Sequence, residues 1–330
     1  MGSHMTTVEP QVASLRMNET ASEIVESMVD QADLLRVRAF RLPGGARVID
    51  AGVETDGGFD AGLILAEICM GGLGNVSFTP LQIGNQSYPG LIVWTDHPAV
   101  ACMASQYAGW AISVGKFFAM GSGPLRAHAR VERELFEKLG YEERADEGVL
   151  VLETRTLPTD EVAAWVAEKA RLQPAQLTFV VAPTASLAGG VQISARIVET
   201  GLHKMETLGF DVRRVVSALG TAPLSPVARN DIMAIGRTND CILYGGQARF
   251  TVRADDAELE QLATQVPASA SRDYGTPFYE IFQRYDGDFY KIDPLLFSPG
   301  EVWLTSSETG KTFHAGRLNP EVLEASLYKP

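Results

Sequence analysis

The sequence predicts an α/β fold, on two observations. Between residues 148 and 218, apolar strand segments (148–153, 177–183, 212–218) alternate with helical ones (159–172, 189–208) through short connections. That alternation pairs at least some strands in parallel. Second, 330 residues that are 45% hydrophobic and 21% charged, without a repeat or a low-complexity segment, have ordinary globular arithmetic. The length suits one large domain or two ordinary ones, and a chain of this size buries roughly 75% of its extended surface.

In chain order, Met1-Gly2-Ser3-His4-Met5 reads as a cloning remnant, so the natural chain is expected to start at Met5 or just after. Asn18 followed by Ile24, Met28 and Leu35 predicts a capped amphipathic helix reaching about Arg38. Arg47–Asp50 opens a short strand that runs into a glycine-rich stretch, residues 51–74, a mark of close backbone packing or of backbone approach to a ligand. Gly90–Trp94 is an apolar strand, and Pro98 fits the first turn of a helix from Ala99 to about Ile112. The run from Phe118 to Pro124 leads into a charged helix over 125–139.

After the alternating elements, a mostly helical stretch runs from Pro226 to about Gly246, then a strand from Ala248 to Arg253. Residues 301–305 and 311–315 flank the turn Glu308-Thr309-Gly310 as a hairpin, and Asn319 caps a last short helix. The charged, poorly periodic Gly140–Gly148 is the expected boundary, dividing the chain into domains over 6–146 and 147–330. The C-terminal hairpin is free to pack back on the first of these.

Charge excludes several functions. Lys and Arg total 28 against 41 Asp and Glu, a net charge of −13, and such a surface repels nucleic-acid phosphates and anionic lipid. No stretch approaches the ~20 apolar residues of a membrane span. Cys69, Cys102 and Cys241 are odd in number, far apart and set in apolar runs, as in a reduced cytosolic protein. With no hydrophobic signal core near the start, a cytoplasmic location is expected.

Several segments are candidates for chemistry. Gly121-Ser122-Gly123-Pro124 at a helix start offers backbone N–H groups to an anion, or is only a tight turn with a cap. In the helix over 189–208, Arg196 and Glu199 are three residues apart among Ile193, Ile197 and Val198. A half-buried Glu there has its pKa lifted toward a general base's range, with the Arg opposing the lift. The same spacing serves an exposed helix ion pair worth about 0.3–0.5 kcal/mol. Aromatics crowd 274–297, including Phe289 and Tyr290, and a flat ligand could stack there; Phe278, Phe282 and Tyr285 nevertheless keep helical spacing and suit a core. Asp96-His97 closes a strand, a common place for functional groups. The histidines (His97, His128, His203, His314) lack metal-ligand spacing, so no metal is expected.

Longer motifs carry a resemblance. Cys69-Met70-Gly71-Gly72-Leu73, Thr95-Asp96-His97-Pro98-Ala99, Ala108-Gly109-Trp110, Phe118 to Pro124, Ala182-Pro183-Thr184-Ala185-Ser186, Arg196-Ile197-Val198-Glu199-Thr200 and Ser271-Arg272-Asp273-Tyr274-Gly275 resemble the methenyltetrahydromethanopterin cyclohydrolases. So does the tail from Pro277 to Pro294, and the likeness runs in order from about Ile24 to Glu324. The resemblance implies a two-domain α/β fold with the pterin in a cleft between domains, and a homotrimer. It implies reversible hydrolysis of N5,N10-methenyl-tetrahydromethanopterin to the N5-formyl form, without metal or redox cofactor. The family's catalytic Arg and Glu fall on Arg196 and Glu199. Gly121, Ser122, Gly123, Asp96, Ser194, Arg272, Tyr274 and Tyr107 are the candidate pocket residues. Archaeal members often carry Lys where Tyr107 stands in Ser105-Gln106-Tyr107-Ala108-Gly109-Trp110. Its loss fits a less negatively charged tail, as in the dephospho carrier of aerobic methylotrophic formaldehyde oxidation. The alternative from another class is a pterin-binding or carrier protein that keeps the cleft without catalysis.

Overall fold

Helix α1 (Met17–Asp30) buries Ala21, Val25 and Met28 along one face, as an amphipathic helix does against a core. The structure, a computed structural model, describes residues 15–288 and 291–328. The expected cloning remnant and the aromatics Phe289 and Tyr290 lie outside the described residues. The helix expected to reach Arg38 instead ends early. A short α2 (Ala32–Leu35) follows, Arg36 turns left-handed at φ +54°, and strand β1 (Arg38–Arg41) begins. Asn18 is no cap: it sits buried inside α1, donating from Nδ2 to the Pro124 carbonyl (3.0 Å) and accepting the Val149 N–H (3.1 Å).

Strand β2 (Arg47–Asp50) is followed by α3 (Phe59–Cys69), a helix that the glycine content of 51–74 concealed. Strands β3 (Asn75–Ile83) and β4 (Gln86–Thr95) form a hairpin across Gly84 and Asn85, wider than the single strand expected over 90–94. Where an α-helix was expected up to Ile112, Ala99–Gln106 is a π-helix, closed by Tyr107 N–H to Cys102 carbonyl at 2.7 Å. Wide turns of this kind are rare and often found at functional sites. The remainder of that segment is strand β5 (Trp110–Val114), hairpinned to β6 (Phe117–Ser122).

The single charged helix expected over 125–139 is two, α4 (Leu125–Ala129) and α5 (Arg133–Leu139), separated at Arg130 with φ +51°. Next come β7 (Gly148–Glu153), α6 (Asp160–Ala170) and β8 (Leu177–Ala182). The helix expected over 189–208 is also two, α7 (Leu187–Ser194) and α8 (Ile197–Thr207), with Arg196 at the break. The chain continues through β9 (Val215–Pro223), α9 (Asp231–Gly245), β10 (Gln247–Val252), α10 (Asp256–Gln265) and α11 (Phe278–Arg284). It closes with the expected hairpin, β11 (Glu301–Ser306) and β12 (Thr312–Gly316), and with α12 (Pro320–Tyr328), where Asn319 Oδ1 accepts the Val322 N–H.

The fold is α/β, as expected, built on two mixed six-stranded sheets. The first has the order β1-β2-β8-β7-β6-β5 and the second β12-β11-β10-β9-β4-β3. β2, β8 and β7 run parallel in the first sheet, and β10 and β11 in the second. Each sheet draws strands from both sides of residue 146, so a cut there does not separate them, and the C-terminal hairpin shares its sheet with β3 and β4.

The largest core cluster joins α7 and α8 (Val191, Ile197, Val198, Leu202) to the π-helix (Val100 to Ala104) and the inner face of the second sheet (Leu91, Val93, Ala218, Phe250). Two glycines permit the approach. A Cβ on Gly220 would lie 2.8 Å from Ile197, and one on Gly201 would lie 2.6 Å from Phe250. The α7–α8 junction is thereby held against both the π-helix and the second sheet, within reach of the end of β6.

Candidate active site

At that junction the chain leaves helix for one residue, and this aims Arg196. Its guanidinium is 7% exposed and forks onto three acceptors. Nη1 donates to the Gln106 carbonyl at the end of the π-helix, while Nη2 donates to Ser122 Oγ (3.1 Å) at the end of β6 and to Gln192 Oε1 (3.1 Å) on α7. The Gln106 amide donates in turn to the Ala195 carbonyl at 3.1 Å. Ser122 Oγ also lies 3.5 Å from Cys69 Sγ. A buried charge needs such partners to persist, and the fork makes Arg suited to holding several acceptors at once.

Glu199 lies one turn into α8 and is 5% exposed. Among the described residues nothing donates a hydrogen bond to its carboxylate, and it makes no ion pair with Arg196. The direct pair expected from their spacing does not form, because Arg196 precedes the helix and points toward Gln106 and Ser122. Burial pushes the Glu199 carboxyl above the ordinary range, and the positive charge of Arg196, His203 and Arg126 restrains the rise. The arrangement is a buried carboxyl without a donor, near fixed positive charge. Such a group can accept a proton at neutral pH.

Tyr107 follows the π-helix. Its ring stacks on His203 (centroids 4.8 Å apart, planes at 21°) and has the Arg126 guanidinium 5.2 Å from its centre. Burial raises its pKa, and the neighbouring Glu199 charge adds to the rise. Arg126 is fully buried, donating to Glu132 (2.8 Å from Nε) and to the carbonyls of Met103 and Ser105 (3.1 Å each). A cavity of about 540 Å³ opens beside Tyr107 and His203 and is also lined by Lys138 and Glu206.

Ser122, Tyr107, Arg196 and Glu199 are thus gathered around the junction of α7, α8 and the π-helix. Ser194 is close in sequence, fully buried, and its hydroxyl has no partner among the described residues. Gly121 and Ser122 lie in strand β6 rather than in the expected turn. The anion cradle expected at Gly121–Pro124 does not form: the Gly123 N–H, at φ +98°, donates to the Ser105 carbonyl (2.8 Å), and α4 is a single short turn. Asp96 is exposed at the end of β4. Arg272 is exposed too, with its N–H on Asp293 (3.2 Å), and Tyr274 packs on Tyr244 (5.1 Å) in the cluster around Phe278 and Leu323. Neither touches the Arg196 group. Phe278 and Phe282 pack in that same cluster, the core role their spacing suited.

Sequence reasoning missed Gln106, Gln192 and Arg126. Gln192 and Arg196 are four residues apart, one helical turn, and that spacing was a legible signal; the long-range reach of Gln106 and Arg126 left none.

Residues 16–327 match the family model described as cyclohydrolase (MCH). The chain belongs to that family. It is 43% identical over 315 residues to a methenyltetrahydromethanopterin cyclohydrolase of Methanosarcina barkeri, covering 95% of this chain and 98% of that relative. Proteins of the same description from methylotrophic bacteria are similar to it as well. One from Methylobacillus flagellatus is 46% identical (94% and 95% covered), and one from Methylobacterium organophilum 47% identical (94% and 97%). The resemblance read from the motifs therefore holds over nearly the whole of this cyclohydrolase-family chain.

Proposed function

We propose that this chain hydrolyses N5,N10-methenyl-tetrahydromethanopterin to the N5-formyl form, reversibly, with Glu199 as general base. The observation that carries the role of Glu199 is its burial without a hydrogen-bond donor, beside the positive charge of Arg196. The names of the relatives supply the substrate. The methenyl carbon is an amidinium-like cation, already electrophilic, so placing and deprotonating one water suffices and no metal or redox cofactor is required. Glu199 takes a proton as the water oxygen bonds to that carbon. Arg196 keeps the carboxyl acidic enough to release the proton again, and its three fixed acceptors hold the α7–α8 junction in place. Positioning of this kind adds to the roughly 10²–10⁴-fold of general-base assistance.

Tyr107, in place of the Lys common in archaeal members, supports the dephospho carrier and a role in formaldehyde oxidation. The resemblance supports a homotrimer, and Ser122, bonded to Arg196, and the unpartnered Ser194 are the further pocket residues that the junction favours. The test is loss of the methenyl chromophore on mixing with methenyl-tetrahydromethanopterin, its dephospho form or methenyl-tetrahydrofolate. Rapid loss with the methanopterin forms only is expected. Tight binding without turnover would refute the activity and leave a carrier.

A further inference from the structure

Hydrolysis of the methenyl cation is not proton-neutral. The water oxygen bonds to the methenyl carbon, the bond from that carbon to N10 breaks, one water proton ends on N10 and the other is released. If Glu199 receives the released proton, a buried carboxylic acid must give it up before the next turnover. Its neighbours differ in their fitness to take it. Arg196 and Arg126 stay protonated throughout. Burial holds the Cys102 thiol and the Tyr107 phenol in their neutral, protonated forms, with no vacant basic site at neutral pH.

His203 differs in both chemistry and place. It stands four residues after Glu199 on α8, so the two side chains share one helix face with Cβ atoms about 5–6 Å apart. The positive form of His203 acts on Glu199 electrostatically. Its ring is fixed flat against Tyr107 and lines the cavity of about 540 Å³, which Glu199 itself does not line. Imidazole also has two ring nitrogens, so it can take a proton on one and release one from the other.

We propose that His203 is the proton exit from Glu199, the neutral imidazole taking the proton through water and releasing it into the cavity. This rests on Glu199 being the base. The groups facing the imidazole suit passage of a positive charge. Glu206 on its own helix pairs with Lys138 of α5 across the cavity, Glu134 lines the same wall, and Glu132 is held by Arg126.

The experiment measures kcat and KM for His203→Gln and His203→Phe in dilute and in concentrated imidazole buffer, with the wild-type chain alongside. His203→Phe keeps a ring against Tyr107 but has no nitrogen. Both variants should lose about 10- to 100-fold in kcat in dilute buffer, within general acid–base magnitudes, with KM nearly unchanged. Concentrated imidazole should restore them and leave the wild type indifferent. Undiminished kcat in dilute buffer, a loss that imidazole does not restore, or full activity in His203→Phe would each overturn the proposal. Absence of hydrolysis by the wild-type chain would instead refute the reading of the activity.

Discussion

Replacing Glu199 by Gln separates catalysis from stability, because the proposed general base is also a carboxyl whose ionisation burial disfavours. Gln keeps the shape, fits the same buried site and cannot take a proton. The loss expected in kcat is the whole general-base contribution, about 10²–10⁴-fold, or roughly 2.7–5.4 kcal/mol of barrier. KM should change little, since in the proposed role the side chain acts on water and not on the pterin. Stability moves the other way. Burial is the largest influence on the Glu199 carboxyl and raises its pKa in the folded chain, against the opposing charge of Arg196, His203 and Arg126. A carboxyl with a raised folded pKa contributes stability that is complete below the ordinary carboxyl range and is lost as pH rises through the raised value. Rising pH therefore costs the wild-type chain stability that a Gln side chain does not lose, and Glu199→Gln should melt higher at neutral pH, with the gap closing toward pH ~4, where the free carboxyl titrates. Chromophore decay at saturating substrate, paired with thermal melts at acidic and neutral pH, reads both effects. A variant with kcat within a few-fold of wild type, or one that melts lower at neutral pH, would refute the reasoning.

Three further outcomes follow from the packing and charges. Arg196→Ala takes the guanidinium from the Gln106 carbonyl, Ser122 Oγ and Gln192 Oε1, leaving the last two only the weak contact of the Cys69 thiol, and at ~1–3 kcal/mol per stranded group should cost about 3 kcal/mol or more in denaturant unfolding; a loss below ~1 kcal/mol would mean that the junction does not depend on the fork. Gly62→Ala places a Cβ 2.6 Å from Val191 Cβ, where α3 crosses α7, and should destabilise by about 1–3 kcal/mol; adding Val191→Gly, which removes the Cβ it meets, should leave the double mutant less destabilised than the two single losses summed, and simple additivity would contradict the clash. Asp240, fully buried and accepting the Phe278 N–H, has its carboxyl pushed up to about 7 by burial. Its stabilising contribution is lost as pH rises from about 4 to 7, by up to about 1.4 kcal/mol per pH unit, so Asp240→Asn should flatten that slope and be the more stable form at pH ~8; an unchanged slope in chemical denaturation would show that the carboxylate is accommodated.

The legible parts of this protein were local or carried by motif. The alternation over 148–218, the C-terminal hairpin and the Asn319 cap were read correctly because each rests on spacing or turn chemistry within a few residues. The glycine-rich stretch 51–74 hid α3, since Gly62 lowers helical propensity while enabling contact with Val191. Arg196 and Glu199 stood out by type and spacing, yet their relation was misread, because Ser194-Ala195-Arg196 contains no Gly or Pro to signal a break.

The amino-acid order alone thus determined the α/β class and the family, and singled out Arg196 and Glu199 as candidates, since periodicity, motif and residue chemistry are properties of short stretches. Tertiary structure decided where the α-helix gives way to a π-helix at Ala99–Gln106, how β3 and β4 come to share a sheet with β9 to β12, and what Arg196 holds. Its acceptors Gln106 and Ser122 lie 90 and 74 residues away in the chain. A buried guanidinium takes whichever carbonyls and hydroxyls the packed layers bring within 3 Å or so, and no local pattern encodes which those are.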